Sequence, residues 1–75
     1  MNGNVSAHLS QRADFPILVA HAFGLPTELR KVFLLCEVRG YTIEETANTL
    51  GITPIVATLR LDRARREMRA RLTDR

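Results

Sequence analysis

Apolar residues recur along the chain at helical spacing, and glycines and prolines divide them into four segments. This pattern predicts four helices, near residues 15–23, 26–38, 43–50 and 54–72. Segments of this length, joined by short breaks, are typical of a small helical domain. We therefore expect an all-α fold of four helices, in which residues 1–13 form a weakly ordered N-terminal arm and residues 14–75 form the domain.

The second predicted helix is apolar on nearly all of its faces. One face combines residues at i, i+3, i+4 and i+7, namely Leu29, Val32, Phe33 and Cys36, and the other faces carry Leu34, Leu35 and Val38. A helix of this kind is usually central, so we expect the other helices to cover it on several sides. The cysteine is expected to act as a small core hydrophobe.

Local signals define the third and fourth helices. Thr42 and Glu45 have the spacing of a capping box, in which the hydroxyl and the carboxylate each satisfy a backbone amide. Gly51 is expected to end the third helix in the left-handed conformation, and Thr53 and Pro54 to begin the fourth. The fourth helix then has a stripe at spacings of four and three residues, made of Ala57, Leu61, Ala64, Met68 and Leu72.

The stretch from Ile43 to Leu61 has small and apolar residues where a helix-turn-helix needs them. Ala47 allows a close helix crossing, Gly51 permits a positive φ, and two apolar side chains, Ile52 and Ala57, fill the space between the helices. A helical hairpin with no role in DNA binding could carry the same residues by chance. The predicted core comprises Leu29, Val32, Phe33, Ala47, Ile52, Ala57, Leu61 and Ala64.

Positive charge is concentrated at the C-terminal end of the chain. Residues 54–75 hold seven arginines against three acidic residues, whereas residues 1–53 have a net charge of −1. A cationic surface of this kind suits phosphate or another polyanion. A solvated, arginine-rich helix face would have the same composition.

The sequence offers no candidate for catalysis or for cofactor binding, so we do not expect an enzyme. His8 and His21 are too far apart to ligate a metal from one helical turn, and Cys36 completes no ligand set. Neither a phosphate-binding glycine loop nor a Ser-His-Asp arrangement is present. No apolar stretch approaches the ~18 residues of a membrane span. With its single cysteine, the chain is expected in the reducing cytoplasm.

Four stretches carry an ordered set of residues: Leu25–Leu35, Arg39–Ala47, Leu50–Thr53 and Arg60–Arg65. They begin with Leu-Pro, continue with Arg-Gly-Tyr-Thr-Ile-Glu-Glu-Thr-Ala, and end with Arg-Leu-Asp-Arg-Ala-Arg. Together they resemble region 4 of the extracytoplasmic-function sigma factors of bacterial RNA polymerase, over about Gly24 to Leu72. The resemblance implies a four-helix domain whose last helix enters the major groove of the minus-35 promoter element. It also implies docking on the RNA polymerase core or on an anti-sigma factor.

The predicted reading helix departs from the pattern of that family. Thr58 stands where a lysine is customary and Leu59 where a serine is expected. Base readout relies on Arg, Lys, Asn or Gln, and apolar side chains can contact only thymine methyl groups, so direct readout should be poor. The expected DNA-binding residues are Thr53, Ile55, Val56, Thr58, Leu59, Arg60, Arg63 and Arg66.

Two functions are compatible with the fourth helix. Ile55 and Leu59 lie opposite its apolar stripe, next to Val56, and should be exposed. The first hypothesis is a transcription-initiation module that binds double-stranded promoter DNA, with the arginines at phosphates. The alternative is a sigma-like interaction module that docks on polymerase, on an anti-sigma factor or on itself through these aliphatic side chains. The oligomeric state is left open.

Overall fold

The computed structural model describes residues 15–73, and four helices account for most of them. They are α1 (Phe15–Ala22), α2 (Thr27–Phe33), α3 (Ile43–Leu50) and α4 (Pro54–Thr73). A π-helical segment, Leu34–Val38, continues α2. Residues 15–73 contain no strand, and the predicted all-α fold is confirmed. The expected N-terminal arm lies outside the described residues.

The predicted capping box begins α3. The amide of Glu45 donates to the Thr42 hydroxyl oxygen over 3.0 Å, and the amide of Thr42 donates to the Glu45 carboxylate over 2.9 Å. Two of the amides that a helix N-terminus leaves without an intrahelical acceptor are thus satisfied. The position of the first helix of the helix-turn-helix is therefore set by its own sequence.

The turn between α3 and α4 depends on Gly51, which has a φ of 70°. Around it, the amide of Ile52 donates to the Ala47 carbonyl over 3.0 Å and the Gly51 amide reaches the Asn48 carbonyl over 3.4 Å. These are the two bonds of a Schellman motif, which favours glycine at the left-handed position. The Thr53 hydroxyl then accepts from the amide of Val56 over 3.2 Å, so the predicted cap of α4 is also confirmed.

The end of α2 differs from the prediction, which had a single regular helix over residues 26–38. The amide of Arg39 donates to the carbonyl of Leu34, five residues back, over 3.0 Å, which makes the last turn one residue wider than an α-helical turn. Two consecutive side chains in this wide turn, Cys36 and Glu37, are buried. Gly40, with a φ of 76°, ends the segment.

The core consists of two apolar clusters that share α4. The first joins α1, α2 and the later turns of α4 and contains Ala22, Leu25, Leu29, Phe33, Ala64 and Met68. The second contains Val32, Cys36 and Leu61, with Ile43, Leu50 and Ile52 packed against it. The predicted core residues are buried except for Ile52, which is half-buried at the edge of the second cluster.

Other helices cover α2 on several sides, but one side of its last turns is open. Leu34, Leu35 and Val38 are half-buried, because none of the described elements closes over that side. Cys36 is buried as predicted, and its sulfur lies 3.1 Å from the hydroxyl of Thr46 on α3. This contact ties the wide turn of α2 to the first helix of the helix-turn-helix.

Candidate nucleic-acid interface

The first two turns of α4 present an apolar outward face. Ala57 and Leu61 point into the protein, and the residues on the opposite side, Ile55 and Leu59, are 73% and 64% exposed. The predicted exposure of these two side chains is confirmed. Val56, predicted beside them, is half-buried. Burial of the inner stripe determines how α4 is rotated about its own axis. It therefore also determines which side chains of α4 a ligand would contact.

A shallow depression of about 570 Å³ connects this face to the beginning of α3. Its lining comprises Pro54, Ile55, Thr58 and Leu59 of α4 and Ile43 and Glu44 of α3. The N-terminal ends of both helices of the helix-turn-helix therefore border the same surface. Helix N-termini carry partial positive charge, and because the first turn of α4 holds no acid whereas that of α3 holds Glu44 and Glu45, the N-terminal end of α4 is the part of this surface that favours an anionic ligand.

The three arginines expected at phosphates have different environments. Arg60 is bound within the domain, because its guanidinium lies 3.1 Å from the carboxylate of Glu28 on α2. Arg66 pairs with Asp62 on the next turn at 3.0 Å, and both side chains are largely exposed. Arg63 is exposed and has no ion pair among residues 15–73, which makes its guanidinium the most available of the three.

An ion pair that was not predicted from the sequence joins α4 to the π-helical segment. The Nε of Arg65 donates to the carboxylate of Glu37 over 2.6 Å, and its terminal amino group also contacts that carboxylate. The Glu37 side chain is only 9% exposed. A charged residue inside the apolar run 34–38 was the available signal, because a buried carboxylate requires a cation or hydrogen-bond donors.

Arg71 makes a further contact that the sequence did not predict. Its guanidinium donates to the carbonyl of Gly24 over 3.1 Å and so caps the turn after α1. Arg69 is exposed and makes no ion pair among the described residues. The freely presented cations of α4 are therefore Arg63 and Arg69, and the other arginines in the described part of the helix are engaged by carboxylates or carbonyls.

A second surface, the α1–α2 groove, lies at the other end of α3. It is an open groove of about 500 Å³ whose apolar lining comprises Val19, Phe23, Leu34, Leu35, Val38 and Leu50. Lys31, Arg39 and Thr49 border it. Because Thr49 and Leu50 are at the C-terminal end of α3, the groove is separate from the depression at the N-terminal end. The apolar pattern of the sequence did not predict this groove.

Two kinds of feature are absent from residues 15–73, a metal-ligand cluster and a membrane-crossing helix. That part of the chain contains no group of three His, Cys, Asp or Glu side chains placed to hold a metal ion. None of its helices combines the length and apolar character that crossing a bilayer requires.

Comparison with known proteins agrees with this geometry. The family described as Sigma-70, region 4 matches residues 24–68, which include α2, the π-helical segment, α3 and three-quarters of α4. The chain belongs to the sigma-70 region 4 family. The match contains α3, the turn at Gly51 and the first 15 residues of α4 in this sigma region 4 domain, and the family is DNA-binding and non-catalytic. No curated protein and no solved structure matches the chain significantly.

Proposed function

We propose that this sigma region 4 domain binds the minus-35 element of promoter DNA during transcription initiation, with the first turns of α4 in the major groove. The observation that carries the proposal is the orientation of α4. Its inner stripe is buried, and its opposite face is exposed beside the N-terminal ends of both helix-turn-helix elements.

In this arrangement the side chains divide into two groups. Thr53, Ile55, Val56, Thr58 and Leu59 form the group that would lie nearest the base edges or the adjacent backbone. Arg60, Arg63 and Arg66 form the group that would contact phosphates, with Arg63 ready to do so and the other two released from their carboxylate partners. Phosphate contacts then position the domain, and the first group determines its sequence preference.

RNA polymerase core or an anti-sigma factor is the second proposed partner, and the α1–α2 groove is its docking surface. An apolar groove with exposed Phe23 (60% exposed) and bordering cations suits an amphipathic helix with acidic flanks. The groove and the DNA-facing depression lie at opposite ends of α3 and share no lining residue. Leu35→Ser should weaken capture by core polymerase and leave duplex binding unchanged.

The alternative is a protein-interaction module that docks through the outward face of α4. The exposure of Ile55 and Leu59 favours it, since large apolar side chains are more common at protein contacts than on phosphate-facing surfaces. Such a face would join the domain to polymerase, to an anti-sigma factor or to a second copy of itself.

Amide shift mapping by NMR, with labelled duplex DNA titrated into the full chain, tests the proposal. Shifts concentrated at residues 42–45 and 53–66 are expected, because these two segments contain the lining of the depression and the outward face of α4. If the shifts appear only as the protein concentration rises, and DNA causes none, the interaction-module alternative is correct instead.

A further inference from the structure

The exposed face at the start of α4 lacks the side chains that usually read bases. Between Thr53 and Leu59 there is no Arg, Lys, Asn or Gln. Ile55 and Leu59 are the most exposed large hydrophobic residues in the described part of the chain. In the major groove, the apolar feature that distinguishes one base from the others is the C5-methyl group of thymine.

We infer that Ile55 and Leu59 give this domain a preference for thymine by contacting C5-methyl groups in the major groove. The inference rests on the proposed DNA-binding function. The two side chains are four residues apart, hence about 6 Å along the helix axis. Bases on one strand are about 3.4 Å apart, so the two contacted thymines should be separated by about two base steps.

The charges around the face favour DNA over a protein as its occupant. Arg63 lies one turn beyond Leu59, is exposed, and has no carboxylate partner among residues 15–73. The N-terminus of α4, whose first turn holds no acidic residue, borders the same surface. Glu44, at the rim, is the acidic group that faces the depression, and it repels phosphate. Phosphate contacts should therefore fall on the arginine side, with the aliphatic side chains over the bases.

Thymine-to-deoxyuridine replacement tests the inference, because deoxyuridine pairs like thymine and lacks only the methyl group. The probe is a duplex enriched by the full chain from a pool with a randomised centre. Each replacement at a contacted position should weaken binding about fourfold, the effect of burying one methylene-sized group. Replacement outside the enriched segment is the control.

Variants of the protein assign the effect to the two side chains. Leu59→Ala and Ile55→Ala should each remove the sensitivity to one replacement, and because both residues are exposed, neither change should lower the unfolding midpoint appreciably. Arg63→Gln should weaken thymine and deoxyuridine duplexes equally. If a duplex is enriched and bound, but deoxyuridine replacement at no position changes its affinity, the thymine inference is wrong and the proposed DNA binding still holds. If no duplex is enriched or bound, the proposed function fails as well.

Discussion

Arg60 on α4 donates to Glu28 on α2 across 3.1 Å, so an arginine expected at a DNA phosphate is held by a carboxylate of its own domain. The Glu28 side chain is 61% exposed and that of Arg60 is 31% exposed. An ion pair this accessible contributes about 0–1 kcal/mol, so a phosphate can compete for the guanidinium. Glu28 is therefore placed to limit the contribution of Arg60 to DNA affinity.

Removal of the Glu28 charge should strengthen DNA binding. Glu28→Gln frees the guanidinium, so affinity should rise several-fold, and the slope of log affinity against log salt should steepen by up to about 0.9, the value for one added phosphate contact. The double variant Glu28→Gln/Arg60→Gln should lose this gain. Fluorescence anisotropy over a salt series measures both quantities. Glu67→Gln, which removes an acid from the exposed pair with Arg71, is the charge-matched control. Equal gains in the two single variants would mean that only net charge changes.

The Glu37–Arg65 pair should contribute more to the free energy of unfolding than the Glu28–Arg60 pair does. Glu37 is buried, and Arg65→Met would leave its carboxylate without the cation that both donates to it and balances its charge. Leaving a buried acceptor unsatisfied costs about 1–3 kcal/mol, and more when the group is charged. In urea unfolding at neutral pH, the free energy of unfolding of the Arg65→Met variant should be lower than that of the wild type by an amount in that range. The control is Arg69→Met, because Arg69 is exposed. This substitution should change the free energy of unfolding by no more than about 0.5 kcal/mol. Equal losses in the two variants would show that Glu37 finds another donor.

The local structure of this domain is largely predictable from its sequence. Thr42, Glu45 and Gly51 carry conformational signals that act over three to five residues, and both the predicted capping box and the predicted left-handed glycine are present. The outward orientation of Ile55 and Leu59 was also predictable, since helical periodicity relates it directly to the buried stripe. The sequence therefore predicts which side chains of α4 face outward in the proposed site.

The features that depend on how α2 crosses α4 were not predictable in the same way. Glu28 and Arg60 are 32 residues apart in the chain, and Glu37 and Arg65 are 28 apart. Helical periodicity predicts that these four side chains lie beside the buried stripes of their helices. Which acid pairs with which arginine depends on how the two helices are placed relative to each other. The wide π-helical turn was missed for a related reason, because one extra residue in a turn has no signature in an apolar pattern.

Leu61 should be among the most important residues for stability. It is 6% exposed and lies in the second apolar cluster with Val32 and Cys36. Leu61→Ala removes three buried carbon atoms and leaves a cavity, so the free energy of unfolding should fall by about 2–5 kcal/mol. Leu59→Ala, on the same helix but exposed, is the matched control and should change it by less than about 0.5 kcal/mol. Thermal unfolding followed by circular dichroism compares the two, and similar midpoints would place Leu61 outside the core.

The last prediction separates DNA binding from protein contact at α4 by changing one cation and one apolar residue on its outward side. Arg63 has no ion pair within residues 15–73, so Arg63→Ala should cost one phosphate contact without disturbing the fold. If α4 binds DNA, this change should weaken binding to all duplexes alike and lower the salt slope by about 0.9.

Leu59→Ser should affect the two functions differently. On a DNA-binding surface it removes apolar contact with bases but preserves the phosphate contacts, so the salt slope should be unchanged. At the centre of a protein interface, it replaces an apolar anchor with a hydroxyl that has no partner, and a dimer or partner complex should dissociate. Anisotropy salt titrations and sedimentation velocity on the wild type and both variants distinguish these cases. Wild-type self-association that Leu59→Ser abolishes, together with duplex binding that is absent or independent of salt, would establish α4 as a protein contact.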